Sequence, residues 1–302
     1  MAEIIPFDQR EGSLWFDGEM VKWTDAKIHV LTHGLHYASC VFEGERMYNG
    51  RIYKLAEHTS RLFESARIMG MKIPYTENEI NAACIKACEV QGFVDAYVRP
   101  VVWRGSEMMA VAAQQTKIHV AIAAWQWGSY FDPKEKMKGI RLDVSQWKRP
   151  APDTAPTAAK AAGLYMICTI SKHEAEAKGY ADAMMFDYRG YVAEATGANI
   201  FFVKEDKLYT PIPDCFLNGI TRKSVIELAK ARQIPVYEKH IERSELDGFT
   251  ECFIVGSAAE VTPVSEIGPW KFKPGKITET LMTDYHEDVN RPVSQVTLAK
   301  AS

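Results

Sequence analysis

The chain has 302 residues, 47% hydrophobic and 25% charged, which suits a globular protein with a sizeable core. Its formal net charge of −3, with no dense basic run, argues against nucleic-acid or anionic-membrane partners. The opening residues lack a charged segment followed by a long apolar one, no apolar run approaches the roughly 18 residues of a spanning helix, and six scattered cysteines form no Cys-x-x-Cys pair, so a reduced, cytoplasmic chain without a metal is expected.

The predicted elements begin with two hairpins. Asp17-Gly18 and Asn49-Gly50 divide the strand-like runs 13–21 and 46–53, and such pairs favour a two-residue turn with positive φ. Helical patterns follow at 57–69, with Leu62, Ala66 and Met69 on one side, and at 77–91, where Cys84 and Cys88 share a face. Strands are predicted at 96–103 and 118–124. From Trp125 to Lys134 the periodicity breaks, and the segment reads as a connection.

The second half opens on a strand at 140–145, a lysine-bearing segment and a helix at 164–179. Strands at 183–187, 191–195, 200–204 and 207–211 lead to a helix at 221–232 and a strand at 252–255. Helices and strands mix in both halves without regular βαβ alternation, so the expected class is α+β. The expected organisation is a smaller domain over 1–124, a linking loop over 125–135 and a larger domain over 136–302. The tail after Pro292 is polar and expected to be loosely held.

Four segments carry chemistry. Lys160 stands in Pro156-Thr157-Ala158-Ala159-Lys160-Ala161-Ala162-Gly163, where small neighbours admit a flat ring and apolar surroundings favour the free amine. An ordinary exposed helix lysine would have the same local sequence. Glu194 lies between strand-like stretches and needs a partner for its charge, either a protonated ring nitrogen or an Arg or Lys. Gly219-Ile220-Thr221 opens a helix, where unpaired N–H groups, the positive dipole end and a hydroxyl make a phosphate cradle; Thr221 equally fits a plain N-cap. Gly256-Ser257-Ala258 ends a strand in a turn of small residues that exposes N–H groups to an anion.

In this order the segments resemble the class IV, fold-type IV pyridoxal phosphate aminotransferases, and within them the branched-chain amino acid aminotransferases, over about residues 12 to 290. The motifs are Gly34-Leu35-His36-Tyr37, Val41-Phe42-Glu43-Gly44, Tyr97-Val98-Arg99-Pro100, Glu194-Ala195-Thr196-Gly197-Ala198-Asn199-Ile200-Phe201 and Gly219-Ile220-Thr221-Arg222. The resemblance implies two mixed α/β domains with the cofactor between them, and at least a homodimer. It implies that Lys160 carries pyridoxal 5'-phosphate as an internal aldimine and shuttles the proton. Glu194 would pair with the ring nitrogen, Tyr165 with the phenolic oxygen, and Leu217 would pack on the ring. Arg61, Gly219, Ile220, Thr221 and Ser257 would hold the phosphate.

For the substrate, the resemblance implies walls from Phe42, Trp127 and Tyr130, with Tyr37 lent by a neighbouring subunit. Tyr97 would meet the α-carboxylate together with the N–H groups of Ser257 and Ala258, and Arg99 would serve a dicarboxylate. The expected reaction exchanges an amino group between L-branched-chain amino acids (leucine, isoleucine, valine) and 2-oxoglutarate. The alternative within the fold is a D-amino acid or (R)-amine transaminase, or an aminodeoxychorismate-type lyase. Tyr97 and Arg99 speak against that alternative, because those relatives usually differ in this strand. Ala38, Glu45, Met108-Met109-Ala110-Val111 and Ser257 depart from the family's common pattern, and they touch pocket shape more than cofactor chemistry.

Overall fold

The computed structural model describes residues 5–128 and 132–292. The chain divides into two compact units, Met1–Ser129 with Ala159–Gly163, and Tyr130–Ala158 with Leu164–Ser302. The lysine segment therefore belongs to the first unit, whereas its position in the chain suggested the second domain. The reason is backbone pairing: Ala161 bridges Val41, and the Phe42 N–H donates to the Lys160 carbonyl at 3.1 Å.

The first unit contains β1 (Ser13–Phe16), β2 (Glu19–Lys22), α1 (His33–Tyr37), β3 (Cys40–Phe42), β4 (Glu45–Tyr48), β5 (Arg51–Ile52), α2 (Leu55–Ile68), α3 (Glu77–Glu89), β6 (Ala96–Arg104) and β7 (Ile118–Gln126). Among the described residues these strands form one sheet in the order β2-β1-β7-β6-β4-β5, with β3 also paired to β6. Both predicted hairpins form. Asp17 and Gly18 have φ of 48° and 100°, and Asn49 and Gly50 have 48° and 79°, as a turn matched to strand twist requires. The predicted break at Trp125 comes two residues later, because Trp125 pairs with Tyr97 and Gln126 with Ala96. A capping box between Thr76 and Glu79 starts α3, whose buried face carries Cys84 and Cys88.

The second unit contains α4 (Pro133–Lys136), β8 (Ile140–Val144), α5 (Met166–Ala177), β9 (Asp182–Phe186), β10 (Val192–Ala195), β11 (Asn199–Lys204), β12 (Lys207–Thr210), α6 (Ile220–Ala231), β13 (Val236–Glu238), β14 (Glu251–Gly256), β15 (Glu260–Ile267), β16 (Trp270–Lys271) and α7 (Lys276–Val289). Its strands run in the order β10-β9-β8-β15-β14-β11-β12-β13. An additional β10–β11 pairing at Glu194 and Asn199 closes six of them into a ring. Fully buried Leu142, Met184, Ile200, Phe202, Cys252, Val264 and Ile267 fill its core. β15 and α7 lie outside the predicted elements. α7 does show helical spacing, burying Ile277, Leu281, Met282, Tyr285 and Val289. No described helix is long and apolar enough to cross a membrane.

Candidate functional site

In the first unit the tripeptide Phe42-Glu43-Gly44, at the step from β3 to β4, organises the predicted residues. The Phe42 ring lies 4.8 Å from both the Lys160 amine and the Arg99 guanidinium. Lys160 is half-buried, with its N–H donating to the Ser65 hydroxyl at 3.0 Å. The amine thus sits over an aromatic face rather than in solvent, as an ordinary surface lysine would.

Glu43 is fully buried and takes Arg61 bidentately: Nε donates to Oε1 at 2.6 Å and Nη2 to Oε2 at 2.8 Å. His58 Nδ1 lies 2.7 Å from Oε2. Burial alone would raise the Glu43 pKa, but Arg61 and His58 hold it well below the usual carboxylate range. Burial lowers the His58 pKa, with Arg61 and Lys160 adding to the effect against Glu43. A neutral His58 facing an ionised carboxylate must carry its proton on Nδ1 and donate it. Arg61 is therefore neither a solvated helix charge nor a group awaiting a phosphate alone. One edge of its guanidinium is anchored, which fixes the direction of the other.

Gly44 has its own reason to be glycine. A Cβ there would lie 2.1 Å from the Tyr97 hydroxyl. Tyr97 is buried beside Trp125 and Trp127, with ring centroids at 4.9 and 5.4 Å, and its hydroxyl accepts from Arg99 Nη2 at 3.1 Å. Arg99 Nε is buried without a hydrogen-bond partner among the described residues, leaving a donor that suits an anion. Tyr37, on α1, is exposed and stacked on His33, and it lies outside this cluster of contacts. Tyr130 falls outside the described residues.

The second unit assembles another group around Asn199. Its amide donates to Glu194 Oε2 at 3.2 Å and to the Leu217 carbonyl at 3.0 Å, and its Oδ1 accepts from the Gly219 N–H at 3.2 Å. One side chain thus ties the ring closure to the start of α6. Gly219 must lack a Cβ, which would come within 2.2 Å of Asn199 Oδ1. Gly219 is the N-cap of α6 and makes no side-chain cap bond. Thr221 is therefore inside the first turn and is not the cap, and its buried hydroxyl accompanies N–H groups that have no intrahelical partner. Gly256, before Ser257 and Ala258, approaches Gly197 and Ala198 at the same end of the ring.

Glu194 also has an arginine. Arg149 Nε lies 3.3 Å from Glu194 Oε1, within ion-pair range but without a hydrogen bond. Burial works against the Arg149 cation, yet Glu194, Cys168 and Tyr165 raise its pKa. Tyr165 sits in the 3-10 turn before α5, within electrostatic reach of Arg149. These groups fit a pyridoxal phosphate: a carboxylate for the ring nitrogen, a helix N-terminus for the phosphate, and in the first unit an amine.

Glu43, His58, Arg149 and Asn199 received no role from the sequence. Glu43 and Asn199 lie inside quoted motifs, so a signal existed; Arg149 is 45 residues from Glu194 and gave none. A separate group, Asp187, Asp214 and Cys215, has metal-ligating atoms close together, but Arg189 already pairs with both carboxylates.

Known proteins are similar to this chain along most of its length. Residues 40–267 match the family model of amino-transferase class IV. The chain is similar to the branched-chain-amino-acid aminotransferase of Pseudomonas aeruginosa, 43% identical over 288 residues, which are 93% of this chain and 94% of that one. Its fold is similar to the T.th. branched-chain amino acid aminotransferase with pyridoxamine 5'-phosphate, at a TM-score of 0.91 and 36% identity over 94% of this chain and 96% of that one. The complex of the same enzyme with N-(5'-phosphopyridoxyl)-L-glutamate gives 0.89 and 35% over the same shares.

Proposed function

The chain belongs to the amino-transferase class IV family, and from that premise we propose that it exchanges amino groups between L-leucine, L-isoleucine or L-valine and 2-oxoglutarate with pyridoxal phosphate as cofactor. The observation that carries this reading is the shared Phe42 ring, with the Lys160 amine and the Arg99 guanidinium each 4.8 Å from it. A nucleophilic amine and a cation suited to a side-chain carboxylate are thereby held around one apolar wall. The similar T.th. enzyme, with its phosphopyridoxyl-glutamate, supports glutamate as the second substrate.

When bound, the cofactor supplies an electron sink for the bond changes at the substrate Cα. Lys160 would hold the cofactor through its amine and would be the group that moves a proton at the substrate Cα. Glu194, placed beside Arg149 and Asn199, would hold a proton on the ring nitrogen. Tyr165 hydrogen-bonds the ring oxygen, and Leu217 packs on the ring. Arg61, anchored by Glu43, binds the phosphate with the N–H groups of Ile220 and Thr221, the Thr221 hydroxyl, and Ser257.

Tyr97 and the N–H groups of Ser257 and Ala258 take the α-carboxylate. Phe42 and Trp127 exclude water around an aliphatic side chain, and Arg99 meets the carboxylate of glutamate. We read the working form as a homodimer or larger, with Tyr37 serving a neighbouring copy, and the six free thiols suit the cytosol.

A panel of amino donors with 2-oxoglutarate, run on the wild type and on Arg99→Ala, tests this. Wild type should prefer branched L-amino acids. A charge-assisted hydrogen bond is worth roughly 1.5–3 kcal/mol, so Arg99→Ala should lower kcat/KM for glutamate about 10- to 150-fold. The leucine half-reaction, which offers Arg99 no anion, should change much less. Equal losses for both would remove Arg99 from side-chain recognition, and preference for D-alanine would replace the reading with that of a D-amino acid transaminase.

A further inference from the structure

The turn Ser257–Ala259 joins β14 to β15, and the residue that closes it is unusual. Glu260 pairs with Gly256 across the hairpin and has φ +54°, in the left-handed region where glycine or asparagine is the ordinary occupant. Its side chain is not solvated either, for the residue is 7% exposed. Lys136, the last residue of α4, reaches it with Nζ 2.8 Å from Oε2. α4 is itself capped, since Asp132 Oδ1 accepts from the N–H groups of Lys134 and Glu135 at 2.9 and 3.3 Å. His286 of α7 stands beside the pair, close enough to feel both charges. On the same strand as Glu260, the Thr262 hydroxyl donates back to the Ala259 carbonyl at 2.6 Å.

A carboxylate in a backbone conformation that glycine would adopt without strain has to be explained by what its side chain does. Here the side chain ties the turn to α4, and all members of the network belong to the second unit. We propose that Glu260 is a positioning residue: held by Lys136, it sets the attitude of the Ser257–Ala259 turn, so that the N–H groups of that turn and the Ser257 hydroxyl are aimed at the cofactor phosphate and the substrate carboxylate. This rests on the reading above that the turn binds those anions. Ordering donors before the ligand arrives is what gives short turns their anion affinity, because the entropy of fixing them is not charged to binding. The turn itself is made of small side chains, of which Ala259 packs against the core of the ring and Ala258 is exposed, so the Glu260 end has a large share in setting its attitude.

The test uses the full chain stripped of cofactor. Apo forms of the wild type, Glu260→Gly, Lys136→Met, the double variant and Ser257→Ala are titrated with pyridoxal phosphate by fluorescence, and the thermal unfolding of each apo form is recorded. Glu260→Gly relieves the left-handed strain, so its apo Tm should hold or rise, while its Kd for pyridoxal phosphate should rise about tenfold, the value of one well-aimed hydrogen bond. Lys136→Met should raise the Kd similarly, and the double variant should add nothing further. Ser257→Ala should raise the Kd on its own account. If Ser257→Ala raises it and Glu260→Gly changes it less than about twofold, the positioning role is overturned. A fall in apo Tm that accompanies the Kd change in Glu260→Gly would make the residue a structural strut and overturn it equally. An unchanged Kd in Ser257→Ala would instead remove the turn from the phosphate site.

Discussion

Two buried carboxyls separated by a single glycine behave in opposite ways. Glu43 has Arg61 and His58 and stays ionised. Glu45, equally buried, makes no ion pair among the described residues; burial first and then Glu43 raise its pKa well above the ordinary value, against Arg61 and a hydrogen bond from the Cys84 thiol. Burial thus favours the protonated form of Glu45, at a position where the family usually has an apolar residue. The sign of the pH effect follows. Below the unfolded pKa both states are protonated and folding costs no proton. Above it the unfolded chain ionises while the folded one does not, so stability falls as pH rises towards the folded pKa. The slope due to this group approaches about 1.4 kcal/mol per pH unit. Glu45→Gln should lose that slope, and denaturant unfolding between pH 5 and pH 8 measures it. Parallel curves for the two proteins would show that Glu45 is ionised in the fold.

At the scale of an element, the link from β3 to β4 shows why three consecutive residues of different chemistry belong together. Alternation in an extended segment sends Phe42 and Gly44 to one side and Glu43 to the other. That places the ring under Lys160 and Arg99, the glycine against Tyr97, and the carboxylate on α2. Gly44→Ala puts a methyl 2.1 Å from a hydroxyl whose ring is packed between two tryptophans and cannot simply rotate away. Overpacking of this kind costs about 1–3 kcal/mol, so the variant should lose several degrees of Tm. Because Tyr97 also carries the proposed α-carboxylate contact, KM for leucine and glutamate should rise together. A variant with wild-type Tm and wild-type KM would mean that Tyr97 moves freely.

At the scale of the molecule, the exposed apolar residues are concentrated. Ile28, Val30, Leu31, Leu35 and Tyr37 are all at least 46% exposed within ten residues. Isolated apolar residues on a surface need no explanation, but a run of this density marks a surface that is covered by a partner. A homodimer that hides it is the proposed working form. Leu35→Glu lies outside the side-chain clusters of both units and should leave the fold intact. It should shift the mass in solution to that of a monomer, and activity should fall with it if Tyr37 is shared between copies. Sedimentation of both proteins decides this, and an unchanged dimer would move the interface elsewhere.

Much of this was legible in the chain. Hairpin turns, helix faces and a helix opening depend on neighbours within a few residues, so Asp17-Gly18, Asn49-Gly50, the α2 face and Gly219-Ile220 could be read directly. Lys160 and Glu194, to which the proposed chemistry is given, stood out because a charge among small or apolar residues needs a reason. Tertiary structure alone decided their partners. Arg149 reaches Glu194 across 45 residues, Glu43 reaches Arg61 across 18, and Lys136 reaches Glu260 across 124. Backbone pairing with Val41 carries the Lys160 segment into the first unit, although its flanks on both sides belong to the second. Local sequence sets backbone conformation through short-range sterics and hydrogen bonds. Which buried charges meet is settled only when distant strands come together and desolvation requires each charge to find its counterpart.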